Sequence, residues 1–267
     1  MREIIRKVPI PTAGVALGLA ALGNLLQPYT EIVHIVCGIL SLVLIAMLGA
    51  KIALFPDMIR DDLHNSIMAS VSATLFMTLM QLAGYLAPFA YIPAFALWSA
   101  AVVAHLALMG WFTARFISHF KLHEVFPTYF ICYVGIVVAS VTSPTFGMEA
   151  VGHLLFWFGF ACYVVLLGLV TYRYMKHEIP ESARPLFCIY TAPMSLSLVG
   201  YLATAPQPNL VFVLAMLVLA QVLFAVVLSR LPVLLRLRFY PSYAAMTFPF
   251  VITATALGKA LAFFQAN

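Results

Sequence analysis

The stretch Thr247-Phe248-Pro249-Phe250, inside the apolar run from Tyr240 to Phe264, decides how the rest of the chain is read. Proline within an apolar helix has no amide proton and presses its ring on the carbonyl four residues back, here that of Ala245, so the spacing predicts a kink. A large ring, Phe248, stands at the bend. In hydrocarbon a broken helix persists only where its freed carbonyl meets protein or a water-filled cavity. The stretch therefore predicts a pore-lining helix plugged by Phe248, against the plainer alternative of a phenylalanine packed in a core.

The rest of the chain has the composition such a helix requires. Its 267 residues are 64% hydrophobic and 9% charged, with a mean hydropathy of +1.04. That leaves too little polar surface to cover a soluble globule. The expected class is an all-α polytopic membrane protein, one transmembrane domain over residues 1–267 with no soluble domain. A helix crossing the hydrocarbon needs roughly 20 apolar residues, and about nine such runs occur, at 9–28, 31–54, 67–87, 91–113, 127–144, 149–173, 185–204, 209–230 and 241–264.

Charge supplies the orientation. Of the 14 Lys and Arg residues, 13 lie at the N-terminus or in the breaks after the second, fourth, sixth and eighth runs. The positive-inside rule makes that side cytoplasmic and the N-terminus with it, in a plasma or inner membrane. Basic residues that follow the membrane boundary form no separate patch, which argues against nucleic-acid binding. Cys37, Cys132, Cys162 and Cys188 fall inside apolar runs without close pairing and read as packing residues.

The runs repeat. Pro127 to Pro185 is 58 residues, Pro185 to Pro241 is 56, and Pro11 lies 116 before Pro127, which is twice 58. The period is one helical hairpin of about 57 residues. Eight residues beyond their opening prolines, Pro193 and Pro249 recur, with Gly135 at the matching place in the fifth run. The residues just before these weak points are Val134, Ala192 and Phe248. Odd runs with a shared mid-membrane bend predict an inner ring around a central pore, with Phe248 projecting opposite small side chains. Five full hairpins need ten helices, so a tenth is expected beyond the nine present.

Groups able to do chemistry are few. No carboxylate falls at mid-membrane, which argues against the buried titrating relay of proton-driven carriers. His34 and His105 lie in even runs, and His119 and His123 share an i, i+4 spacing that a wet loop explains better than a metal site. No catalytic set, metal site or cofactor signature stands out, so enzyme activity is not expected. Gly14 and Gly18 form a GxxxG pair, which reads equally as close helix packing or as an open lumen. Lys259 is the one cation outside the basic side. It lies 11 residues after Phe248, near the same helical face, and reads either as an anion attractor at the outer mouth or as a lysine snorkelling to the interface.

Pro9-Ile10-Pro11-Thr12 with Leu17-Gly18-Leu19-Ala20-Ala21-Leu22, Ala192-Pro193, and Thr247-Phe248-Pro249 resemble the tellurite-resistance/C4-dicarboxylate transporter family, which includes the slow-type anion channels of plant guard cells. The resemblance runs through essentially the whole chain. It implies five tandem hairpins, usually assembled as a homotrimer with one pore per protomer, and a phenylalanine matching Phe248 that occludes the pore. Departures are the missing proline in the third run, Ala16 and Cys132 where relatives often have proline, the absent tenth helix, and the absent long regulatory tails.

These readings lead to an anion channel passing small monovalent anions without a cofactor. Taking a bare anion into a medium of low dielectric costs tens of kcal/mol on a Born estimate, so a path must offer water, dipoles or positive potential; hydroxyls such as those of Thr12, Ser140 and Thr247 are candidates. Pro249, Pro193, Ala192, Val134, Gly135, Thr247, Ala245, Gly14 and Gly18 are the expected lining and kink positions. The alternative is a secondary carrier, possibly proton-coupled, for C4-dicarboxylate, sulfite or tellurite-like oxyanions.

Overall fold

The computed structural model describes residues 2–266, which are helical with no strand among them. Seven helices are long and apolar enough to cross a membrane: Glu31–Leu54, Ser66–Leu86, Tyr91–Ile117, Glu149–Lys176, Glu181–Thr204, Leu210–Leu234 and Pro241–Ala266. These are the second, third, fourth, sixth, seventh, eighth and ninth spans. The first span is shorter than the sequence pattern suggests, and the fifth is interrupted. The first is a helix over Thr12–Leu26, about 22 Å long at 1.5 Å per residue. The fifth, 128–146, is divided into Thr128–Tyr133, Val137–Thr142 and a closing turn Ser143–Phe146.

The spans alternate in environment. Large apolar side chains of the second and eighth spans, among them Ile35, Ile39, Leu42, Leu214, Val218 and Val222, face outward. Exposed apolar stripes of this length suit lipid and are unsuited to water. The seventh span is 83% buried and the third 61%, against 22% for the eighth and 28% for the second. The odd spans form a closed circuit: the first packs on the third, the third on the fifth, the fifth on the seventh, the seventh on the ninth, and the ninth back on the first. Each even span lies outside this circuit against its hairpin partner. The ninth span, only 33% buried, is covered on one side and exposes Leu257 and Leu261 on the other.

Side-chain hydroxyls join the circuit. Thr78 donates to the Ala13 carbonyl at 3.2 Å, Ser195 and Thr253 share a 3.1 Å hydrogen bond, and Thr247 donates to the Gly14 carbonyl at 3.0 Å. Bonds of this kind between membrane helices contribute about 0.6–2 kcal/mol each.

The bends take a form that proline chemistry alone did not specify. Instead of kinking a continuous α-helix, Pro249 occupies the second position of a helix that starts at Phe248. A missing amide costs nothing in a first turn, where no carbonyl precedes it to accept. Before Phe248 the chain runs as a 3-10 helix over Pro241–Met246. Pro193 behaves in the same way: a 3-10 helix over Glu181–Thr191 passes into an α-helix at Ala192. In the fifth span Gly135 lies between two short helices, with the Val134 and Gly135 amides both donating to the Phe130 carbonyl, at 2.8 and 3.1 Å. The third span has no proline, and it breaks at Ser72, between Ser66–Val71 and Ala73–Leu86.

Candidate functional site: a central cavity

The five odd spans enclose a cavity of about 250 Å³. Its lining begins at the end of the molecule that carries the basic loops, at Pro11, Asn65, Ser182 and Tyr240. Along each span it stops near the middle, at Leu17, Met77, Gly135, Leu196 and Pro249. No even span contributes a lining residue.

The wall is largely apolar. Its polar side chains are Asn65, Thr74, Ser182, Tyr240 and Ser242, with no Asp, Glu, Lys, Arg or His among the lining residues. At the mouth the seventh and ninth spans are tied together, Tyr240 donating to a Glu181 carboxylate oxygen at 2.8 Å and Ser242 to the Ser182 carbonyl at 2.6 Å. The hydrogen bond to the carboxylate raises the Tyr240 phenol above its ordinary range.

Of the positions expected from the sequence to line a pore, eight border this cavity. Phe248, Pro249, Pro193, Ala192, Val134, Gly135, Ala245 and Gly14 all face the cavity. Thr247 does not: its hydroxyl donates to the carbonyls of Gly14 and Ala244, fastening the ninth span to the first. Gly18 is also absent from the wall. A methyl group there would stand 2.7 Å from Cβ of Thr247 and 2.9 Å from the Phe248 amide nitrogen, so this glycine permits contact between the first and ninth spans. Lys259 is exposed on the far half of the ninth span, away from the cavity.

At the blind end Phe248 is 5% exposed, and it does not face small side chains alone. Leu17, Met77, Val134 and Leu196 are equally buried at the limit of the lining. Met77 presses on the fifth span where Gly135 leaves room: a methyl at Gly135 would be 2.7 Å from the Met77 sulfur. Met77 and Leu196 were not singled out in the sequence, and Leu17 entered only as part of the motif over residues 17–22. Leucine and methionine are ordinary in apolar helices; Leu17 stands beside Gly18 and Leu196 three residues beyond Pro193, but Met77 had no nearby landmark.

Neither His34 nor His105 reaches the cavity. His105 is fully buried and its Nε2 is 2.8 Å from the Cys132 carbonyl, an acceptor that the break in the fifth span leaves free of a helical amide. Because a carbonyl only accepts, that contact puts the proton on Nε2. His34 stacks on Tyr85 with ring centroids 4.0 Å apart. Both side chains are used in packing between spans.

No curated protein matches the chain in sequence. A family model described as "voltage-dependent anion channel" matches residues 7–265, from ahead of the first span to the end of the ninth. Matched over nearly its entire length, this membrane-spanning chain belongs to the voltage-dependent anion channel family, a family of channels and transporters for anions.

Proposed function

We propose that the protein is an anion channel of the plasma or inner membrane, with its N-terminus and basic loops in the cytoplasm. Small monovalent anions pass through the central cavity, and the ring of Phe248 holds the path shut. The single observation that carries this reading is the uncharged cavity, walled by all five odd spans and ending at Phe248. A wall without fixed charge binds an anion weakly enough to release it, and it selects by ease of dehydration. Residues 1–267 act as one transmembrane domain, and protomers assemble as homotrimers with a separate pore in each. Lys259 raises the anion concentration at the outer mouth, on the side opposite the basic loops.

Planar bilayers with asymmetric chloride and nitrate test the proposal. A current in Phe248→Ala that exceeds the wild-type current and reverses near the anion equilibrium potential supports it. Ion-tight bilayers for both, with folding verified, would reject it. The second reading, a carrier for C4-dicarboxylate, sulfite or tellurite-like oxyanions, draws on the blind end of the cavity, since carriers expose a site to one side at a time. It predicts saturable uptake driven by pH. The lack of an acidic or basic side chain in the cavity wall weighs against proton coupling there.

A further inference from the structure

A second pocket, of about 530 Å³, lies on the same face of the molecule as the basic loops and is formed where three of those loops meet. The break after the second span contributes His64 and Asn65, that after the fourth contributes His123, and that after the sixth contributes Arg173 and His177. Arg173 is 2% exposed. Its guanidinium lies 4.3 Å over the Phe126 ring and donates to the carbonyls of Glu178, at 3.3 Å, and His123, at 3.1 Å. No carboxylate pairs with it among the described residues, and its Nε has no acceptor.

A buried cation without a counter-ion is unfavourable, because the desolvation cost is left without a compensating attraction. Guanidinium carries five N–H donors in a planar fork, and the two carbonyls engage only two of them. The acids nearby do not supply the missing charge. Glu124 and Glu178 both line the pocket. Glu124 is held by Lys121 at 3.1 Å, with His123 Nε2 3.7 Å from the same oxygen, and Glu178 has its side chain exposed while offering Arg173 only its carbonyl. The histidines are exposed around the pocket, with the His123 and His177 rings 6.4 Å apart.

We propose that this pocket is a binding site for a tetrahedral oxyanion, a sulfate or a phosphate group, held by Arg173 and by donors from His123 and His177. The Arg fork matches two oxygens of such a group, which a compact halide cannot offer. The site is separate from the central cavity but shares a wall with it, because Asn65 and Ile67 line both. An occupant therefore bears on the mouth of the cavity through the start of the third span. The oxyanion is supplied either by the solution or by a lipid headgroup at the membrane surface.

The test is sulfate binding to the full chain in detergent, read by calorimetry and by thermal stabilisation against chloride at equal ionic strength. Saturable binding is expected, weakened about tenfold or more in Arg173→Lys, which keeps the charge but loses the fork. The paired variant His123→Gln with His177→Gln, whose side chains are exposed and so spare the core, weakens it by a smaller factor. Phe248→Ala leaves it unchanged, which separates this site from the conducting path and holds whether or not any current is found. In nanodiscs, competition of sulfate by phosphatidic acid identifies a headgroup as the source, and its absence identifies a soluble oxyanion. No saturable binding by the wild type, or equal binding by wild type, Arg173→Lys and the paired histidine variant, overturns the proposal.

Discussion

The seventh and ninth spans make the same turn with opposite contents. Each enters as a 3-10 helix and passes into an α-helix whose second residue is proline, at Pro193 and Pro249. Each has a threonine one residue ahead of the α-helix with its hydroxyl on the carbonyl three residues back, Thr191 on Cys188 at 3.1 Å and Thr247 on Ala244 at 2.7 Å. What differs is the residue at the join, a methyl group at Ala192 and an aromatic ring at Phe248, both facing the cavity. The backbone break and the side chain presented to the cavity are therefore separable. Proline and threonine recur at both turns, and the residue between them sets how large a side chain faces the cavity.

That separation can be tested from either side. The largest effect is expected from Phe248→Ala, which makes the ninth span resemble the seventh. Conductance should rise at least about tenfold, the factor that corresponds to about 1.4 kcal/mol off a barrier, and an unchanged single-channel current would reject the ring as the obstruction. Ala192→Phe placed in the Phe248→Ala background should return the current towards the wild-type value. A current that stays high would mean that the two positions do not share an axis.

Smaller effects should come from the contacts that only the ninth span makes. Gly18→Ala forces a methyl against Thr247 and the Phe248 amide, so thermal unfolding in detergent should show a loss of about 1–3 kcal/mol. A melting temperature equal to wild type would show that the first and ninth spans separate freely. Thr247→Val removes the hydrogen bond to Gly14 and should cost about 1 kcal/mol by the same measurement. Among the described residues the Thr191 hydroxyl makes no hydrogen bond outside its own span, and only its carbonyl does so, accepting from Thr253 at 3.4 Å. Thr191→Val is therefore the internal control and should cost less. The weakest effect belongs to Lys259, whose counterpart one repeat earlier is Ala203. Lys259→Gln should lower inward anion flux by less than about twofold in 0.1 M salt and leave it unaltered in 1 M salt, where the screening length falls from about 10 to about 3 Å.

How far these features were readable differs residue by residue. Pro193, Pro249 and Gly135 announce weak points because their backbone chemistry is local, and the structure breaks at or beside all three. Ser72 announces nothing, and the third span breaks there too. Ala192, Val134 and Phe248 were reachable because the hairpin period aligns them with those landmarks. Gly18 was ambiguous for a physical reason: a glycine suits an open lumen and a close helix contact equally well, and its neighbour decides between them. Met77 and Leu196 carry side chains common to every apolar helix, so their place at the blind end has no compositional mark.

By itself the sequence determined the membrane class, the clustering of its basic residues in alternate breaks, and the places where the fifth, seventh and ninth spans break. Those properties follow from hydropathy, charge and backbone chemistry within a few residues of each other. The tertiary structure decided that the breaks in the seventh and ninth spans are 3-10 to α joins, that the first span is short and the fifth interrupted, and that the circuit closes from the ninth span onto the first. It also left Thr247 and Gly18 out of the cavity wall and brought Leu17, Met77 and Leu196 to its blind end. Thr247 meets Gly14 across 233 residues of chain. A side chain's rotation toward cavity, neighbour or lipid depends on what such distant partners offer it, and local pattern carries no record of that.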